Sequence, residues 1–172
     1  MNPLFQPEIR AFVAVELPAK NLDGLAYLVS ALAREKLSSL QLIKPDNAHL
    51  TLKFLGQVPV SRLEDIGKAL DQVALNAAPF QIEFGELGGF PNNETPQVLW
   101  AGLNDTDGII QRLAYAVEDA LAPLGFPSDT RRFKAHITLA RLKKNSTGAE
   151  RRSAGNCLKR LLGLELETLF VK

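Results

Sequence analysis

The sequence predicts an α+β protein of two similar lobes, each of β-α-β-α-β type, and three observations lead there. Apolar residues recur alternately at the two-residue spacing of strands and the 3.6-residue spacing of helices. The two histidines of the chain, His49 and His136, open closely similar tetrapeptides, His49-Leu50-Thr51-Leu52 and His136-Ile137-Thr138-Leu139, 87 residues apart in a chain of 172. The same offset carries Phe12-Val13-Ala14-Val15 onto Leu99-Trp100-Ala101-Gly102. One offset relating two separate segments is the signature of a duplicated unit.

Taken in order, residues 10–17 read as a strand rich in Val, Phe and Ala, ended by Pro18. Leu22, Leu25, Leu28, Val29 and Leu32 share one face of a helix over 19–37. A short strand, 40–43, leads through Pro45-Asp46-Asn47 into a strand over 48–55 that Gly56 is expected to stop. Pro59 and Ser61 open a helix over about 61–75, with Leu63, Ile66, Leu70 and Val73 on one face. A strand over 80–87 closes the first half, and Gly88 to Pro96 has linker chemistry. The second half repeats the order: strand 97–103, helix 107–122, strand 132–142, helix about 149–161 and strand 164–171. The expectation is one domain, 1–172, with lobes at about 9–88 and 96–172 around a central cleft and related by a pseudo-two-fold axis.

Composition narrows the function. The chain is 46% hydrophobic and 23% charged, ordinary for a globular protein and unlike a disordered or fibrous one. No apolar run approaches the roughly 18 residues of a membrane span, and the first residues lack a signal-peptide pattern, so a cytoplasmic protein with no membrane partner is expected. A single cysteine, Cys157, excludes an internal disulfide or a multi-cysteine metal site and reads as helix packing. The net charge of +1 hides a strong asymmetry. Residues 131–160 hold half of all Lys and Arg (Arg131, Arg132, Lys134, Arg141, Lys143, Lys144, Arg151, Arg152, Lys159 and Arg160) and one acid, Glu150. Such a window attracts an anionic partner such as a phosphate or nucleic acid.

In a strand, residues i and i+2 point to the same face. His49 therefore shares a face with Thr51, and His136 with Thr138, opposite Leu50, Leu52 and Phe54 in one case and Ile137 and Leu139 in the other. With two lobes related by a two-fold, both pairs face one groove. Two imidazoles with ordinary pKa values near about 6.5 can hold opposite protonation states at neutral pH. One activates water while the other protonates a departing oxygen, each worth roughly 10²–10⁴ in rate. Threonine hydroxyls can hydrogen-bond the non-bridging oxygens of a phosphate. Together these suit phosphodiester cleavage without a metal. A metal site has no further His or Cys cluster to draw on. A Ser-His-Asp triad leaves the second histidine without a purpose. The segment Gly85 to Gly89 lacks a Lys-Ser/Thr ending and opens no helix, so no phosphate loop or nucleotide cofactor is expected.

At these residues the chain resembles the 2H phosphoesterase superfamily, in particular the RNA 2′,3′-cyclic phosphodiesterases, also called 2′-5′ RNA ligase-like proteins. Its two H-x-T-x motifs are matched by His49-Leu50-Thr51-Leu52 and His136-Ile137-Thr138-Leu139. The resemblance extends over Arg10 to Pro18, Lys44 to Asn47, Lys53 to Gly56, Gly89-Phe90-Pro91, Val98 to Gly102, and Phe133 to Arg141. It implies a bilobal α+β fold and hydrolysis of RNA 2′,3′-cyclic phosphate ends to 2′-phosphomonoesters with no metal or cofactor, in some members with reverse 2′-5′ ligation. It further implies that His49 is the proton donor to the leaving 3′ oxygen and His136 the proton acceptor from water. Thr51, Thr138 and Arg141 would bind the phosphate. Two positions depart from the family pattern: Ala135 stands where proline is frequent, and Gln97 where a basic residue is common, implying one RNA contact fewer. Strict alternation puts Arg141 on the face opposite His136, so its role requires the strand to bend, bulge or end nearby.

By the same parity Phe12 lies opposite Ala11, Val13 and Val15, where it could stack on a base, while Phe54 falls on its strand's apolar side and reads as core. The expected partners are RNA ends or nucleotide cyclic phosphates, and the expected state is a monomer. Two other functions fit the same residues: cyclic phosphodiesterase action on a small nucleotide such as an ADP-ribose cyclic phosphate, and a non-catalytic RNA-end binding module.

Overall fold

The alternating and helical periodicities condense, in a computed structural model describing residues 7–162, into six strands and four helices among those residues. These are β1 (Glu8–Glu16), α1 (Ala19–Arg34), β2 (Leu40–Leu42), β3 (His49–Pro59), α2 (Leu63–Asn76), β4 (Phe84–Phe90), β5 (Val98–Leu103), α3 (Ile109–Leu121), β6 (His136–Leu142) and α4 (Gly148–Leu162). The fold is α+β. Within a few residues, the 87-residue offset carries β1 onto β5, α1 onto α3, β3 onto β6 and α2 onto α4. The strand expected over 164–171 lies outside the described residues.

Local chemistry explains where the helices begin. The Asp105 carboxylate accepts the backbone N–H groups of Ile110 and Gln111 at 2.9 and 2.8 Å, satisfying two donors that the first turn of α3 leaves open. At α4 a capping box does the same. Thr147 N–H donates to the Glu150 carboxylate at 2.7 Å, and Glu150 N–H donates to the Thr147 hydroxyl at 3.2 Å. Glu64 and Asp65 lie in the first turn of α2, where the helix dipole favours negative charge. Three helices then bury one face each, Leu25, Leu28 and Leu32 from α1, Ile110, Ala114, Val117 and Leu121 from α3, and Ala154, Cys157, Leu158 and Leu161 from α4, while α2 buries Ile66.

The chain packs as two compact units, and each interleaves segments from both halves of the sequence. One contains the described residues up to Val15 together with Thr51–Phe80 and Asp105–Lys134. In it β1 neighbours β3, and α2 packs on α3. Its least exposed charge is Lys53, whose ammonium donates to the Glu118 carboxylate of α3 and, at 2.8 Å, to the Pro127 carbonyl. The other unit contains Glu16–Leu50, Gln81–Asn104 and the described residues from Ala135 onward. Its strands β2, β6, β5 and β4 pair antiparallel, and the start of β3 joins β6 through Leu50 opposite Ile137. Leu50 and Ile137 are themselves related by the 87-residue offset, so each repeat meets its own counterpart there, as a local two-fold demands.

Several boundaries differ from the sequence reading. Gly56 does not stop β3. It adopts φ +73°, a left-handed conformation open to glycine, and the strand continues to Pro59 with Val58 buried. Residues 80–83 are not strand, because the Ile82 carbonyl accepts the Asn21 side-chain amide at 2.7 Å rather than a ladder N–H. Gly88, Gly89 and Phe90, read as linker, are the end of β4. Gly88 pairs with Trp100, whose indole lies where a Cβ would be: one built at Gly88 comes 2.1 Å from the ring. Residues 132–135 precede β6 rather than belonging to it, following a bend in which Arg131 folds back on Asp129.

Candidate active site

Strand β6 carries most of the site, and a bulge sets its geometry. Against β5, Trp100 pairs with Thr138 but Leu99 with Ala140, which leaves Leu139 as an extra residue on β6. The consequence is visible in exposure. Ile137 is buried and Thr138 half-exposed, as alternation requires, but Leu139 and Ala140 are both buried and Arg141 is exposed. The inserted residue reverses the parity, so Arg141 joins Thr138 instead of opposing it. Both line one pocket of about 310 Å³ with Leu42, Ile43, Lys44, Asn47, Ala48 and His49. The residue that follows β2 holds the bulge, since Ile43 N–H donates to the Leu139 carbonyl at 2.9 Å.

His49 reaches the pocket because Leu50 sits opposite Ile137, and antiparallel pairing sets His49 alongside Thr138. Its Nδ1 donates to the Asn47 carbonyl at 2.9 Å. A carbonyl only accepts, so this bond keeps a proton on Nδ1 and leaves Nε2 as the atom that gains or loses one. A single 3₁₀ turn, Pro45–Asn47, places that carbonyl, with Lys44 just before it on the pocket wall.

His136 opens β6 two residues before Thr138 and is held by aromatic rings. Phe90 meets it edge-on, with ring centroids 5.0 Å apart at 85°, and Trp100 lies 6.1 Å away at 63°. Phe90 and Trp100 pack on each other at 5.2 Å, so the three rings restrict one another's rotation. Thr51 and Phe12 belong to the other compact unit. Thr51 is half-exposed between the buried Leu50 and Leu52, on the face of β3 that its parity with His49 predicts. Phe12 is 46% exposed.

The basic window divides in the fold. Arg131 is tied to Asp129, whose carboxyl is held down to about 2 by hydrogen bonds from the Arg131 side chain and backbone. Arg160 pairs with Glu35 on α1's C-terminal flank. Arg141 lines the pocket, while Lys143, Lys144, Arg152 and Lys159 are exposed. Cys157 is fully buried in α4, and burial, reinforced by the nearby Glu35 charge, pushes its thiol up to about 11. Among the described residues, no group of three or more His, Cys, Asp or Glu side chains is placed to hold a metal ion, and no helix is long and apolar enough to cross a membrane.

A family model described as LigT-like phosphoesterase matches residues 15–100 and 104–164, most of the chain. The chain belongs to that family. Among curated relatives of this LigT-like phosphoesterase, the RNA 2′,3′-cyclic phosphodiesterase of Archaeoglobus fulgidus is 36% identical over 140 residues, covering 80% of this chain and 75% of the relative. The RNA 2′,3′-cyclic phosphodiesterase of Thermus thermophilus is 34% identical over 141 residues, covering 78% and 69%. A crystal structure of a Thermus thermophilus protein superposes with a TM-score of 0.70 at 30% identity, covering 81% of this chain and 77% of the other. The LigT of E. coli complexed with 3′-AMP shares the fold, with a TM-score of 0.63 at 24% identity, covering 82% and 78%.

Sequence reasoning did not single out Lys44, Asn47, Phe90 or Trp100 as site residues. Asn47 acts through its backbone, which no side-chain pattern reveals. Lys44 carried a signal in the Lys44-Pro45 turn directly before the first motif. The aromatic wall was signalled by Gly88 and Gly89, which pair with Trp100 and Leu99 on β5, since a small residue in a strand makes room for a large neighbour. Phe54, read as core, is 64% exposed, because alternation breaks at Lys53, which turns inward to Glu118.

Proposed function

We propose that this LigT-like phosphoesterase hydrolyses RNA 2′,3′-cyclic phosphate ends to 2′-phosphomonoesters, without a metal ion, by acid/base catalysis from His49 and His136. The observation that carries this reading is the pocket in which His49, Thr138 and Arg141 meet, on a chain whose relatives are RNA 2′,3′-cyclic phosphodiesterases. The cyclic phosphate sits in the pocket with its non-bridging oxygens on the Arg141 guanidinium and the Thr138 hydroxyl, with Thr51 as the counterpart from the first motif. His136 takes a proton from water, whose oxygen bonds to phosphorus. The bond from phosphorus to the 3′ oxygen breaks, and His49 delivers the Nε2 proton to that oxygen. The products are a 3′ hydroxyl and a 2′-phosphomonoester, and the two histidines have exchanged protonation states. Water returns them to the starting state. Ligation is the same path with a 5′ hydroxyl oxygen in place of water: its oxygen bonds to phosphorus, the bond to the 3′ oxygen breaks, and the products are a 2′-5′ bond and a 3′ hydroxyl.

The Asn47 carbonyl suits His49 to the donor role, since it orients the ring and accepts the Nδ1 proton in both charge states. Lys44 on the pocket wall adds positive charge toward the phosphate. The test is incubation of an oligonucleotide bearing a 2′,3′-cyclic phosphate with the protein in excess chelator, with the end group read by phosphorus NMR. The expected product is the 2′-phosphomonoester at undiminished rate. A 3′-phosphomonoester, or no reaction, overturns the proposal.

A further inference from the structure

The chain leaves the pocket along a line of positive charge within the same compact unit. After Arg141, Leu142 is buried and Lys143 exposed, and the ladder runs one step past β6, with Lys143 N–H donating to the Ser39 carbonyl at 2.9 Å. Lys143 therefore stands on the same face as Arg141, two residues and about 7 Å further along. Lys144 follows, exposed, in a turn closed by a hydrogen bond from the Ser146 N–H to the Lys143 carbonyl at 3.0 Å. The turn leads into the Thr147–Glu150 capping box, so it is anchored at both ends. From α4, Arg152 folds its guanidinium back over Gly148, 3.5 Å from where a Cβ would stand there. Glu150 is the one acid between Arg141 and Arg152, and its carboxylate is taken up by the N–H and hydroxyl of Thr147, at 2.7 and 2.9 Å.

Among the described residues, Arg141, Lys143, Lys144 and Arg152 form no ion pair, whereas Arg131 is tied to Asp129 and Arg160 to Glu35. Cations so close together repel one another, and that repulsion works against folding unless an anion relieves it. The cyclic phosphate does not need them. It carries one negative charge, Arg141 and Lys44 already line its pocket, and Lys143, Lys144 and Arg152 lie outside that wall. We propose that Lys143, Lys144 and Arg152 are a phosphate track for the strand behind the RNA end, which makes the protein selective for polynucleotide ends over cyclic mononucleotides. An RNA strand is the anion that fits this arrangement. Its backbone repeats a charge at every nucleotide, and a two-residue strand step is close to the distance between neighbouring phosphates of an extended strand. Contacts to phosphate position a strand without reading its bases, so the track accepts any sequence. The inference rests on the phosphodiesterase reading for the end group and goes beyond it in choosing an RNA strand over a small nucleotide.

The test compares the unaltered protein with the triple variant Lys143→Gln, Lys144→Gln, Arg152→Gln and with a charge-matched variant, Lys20→Gln, Lys68→Gln, Arg112→Gln, which removes three exposed cations from α1, α2 and α3. Binding is read by fluorescence anisotropy of a labelled tetranucleotide ending in a 2′-phosphomonoester, over a range of salt. Three phosphate contacts contribute about 2 to the slope of log affinity against log salt, about 0.7 each. The triple variant should lose that contribution and the charge-matched variant keep it. Turnover gives a second readout. The unaltered protein should show a higher kcat/KM on a tetranucleotide with a 2′,3′-cyclic end than on adenosine 2′,3′-cyclic phosphate, and the triple variant should lose most of that advantage through KM. An unchanged slope in the triple variant, an equal change in the charge-matched one, or equal losses of turnover on both substrates overturns the track. An unaltered protein inert on both substrates overturns the phosphodiesterase reading, and the salt slope still decides the track.

Discussion

Gly88→Ala probes how the fold orients His136 without touching it. A methyl group at Gly88 would meet three atoms of the Trp100 indole at 2.1, 2.3 and 2.7 Å. Ordinary carbon contacts lie at about 3.5–4.0 Å, so one partner must move by about 1.5 Å. Gly88 is fixed in the β4 ladder opposite Trp100, and Trp100 is 3% exposed, so the indole is the group that gives way, against a close-packed interior. Overpacking of this kind costs about 1–3 kcal/mol. The displaced indole pushes on Phe90 and His136, whose centroids lie 5.2 and 6.1 Å from it. A shift of about 1 Å in a catalytic group can lower turnover by about 100-fold. Urea denaturation should therefore show a loss of about 1–3 kcal/mol, and kcat on a cyclic-phosphate end should fall by about 10- to 100-fold. Gly67→Ala is the control. It lies in α2 with nothing within 4 Å of its Cβ position and should gain about 0.5–1 kcal/mol with unchanged turnover. A Gly88→Ala protein with full stability and full turnover would refute the packing account of His136.

The remaining predictions concern single groups. Arg141→Lys keeps the charge but loses the planar fork, so kcat/KM on a cyclic-phosphate end should drop about tenfold with little change in stability; equal activity removes Arg141 from phosphate binding. Lys53→Met leaves the Glu118 carboxylate, 13% exposed, without its cation and should cost about 3–5 kcal/mol in urea denaturation, much of it recovered in the double variant with Glu118→Leu. A loss below about 1 kcal/mol counts against a tightly held pair. Cys157 should react with a thiol reagent at pH 8 only on unfolding. Its folded pKa is raised, so the stability it contributes is present below the unfolded value of about 8.5 and is lost as pH rises toward about 11. Rapid labelling of the native protein contradicts its burial.

The elements legible in the sequence were those with a strong period and a chemical boundary. The helices expected over 107–122 and about 149–161 are α3 and α4, each begun where Asp105 or the Thr147–Glu150 pair satisfies the first-turn N–H groups. What could not be read was decided by partners distant in sequence. Alternation places Phe54 in the core and Arg141 away from Thr138; both assignments fail where two consecutive residues turn inward, once to satisfy a buried Lys53 and once where β6 outruns β5 by one residue. Gly56 reads as a stop because glycine usually breaks a strand, yet its left-handed φ let β3 continue. Gly88 and Gly89 read as linker because the sequence does not show that Trp100 needs the empty space at Gly88. The interleaving of the two compact units was likewise hidden, because a repeat of 87 residues suggests consecutive lobes.

The most direct measurement of the central claim is the pH–rate profile of hydrolysis of a 2′,3′-cyclic-phosphate oligonucleotide by the unaltered protein, His49→Ala and His136→Ala. Two histidines acting as donor and acceptor predict a bell-shaped profile for kcat/KM. Each substitution should cost roughly 10²–10⁴ in rate and flatten one limb: His49→Ala the alkaline limb, His136→Ala the acid limb. The folded state should persist, since both side chains are half-exposed. Retention of the full rate by either variant, or an unaltered profile in both, would contradict it.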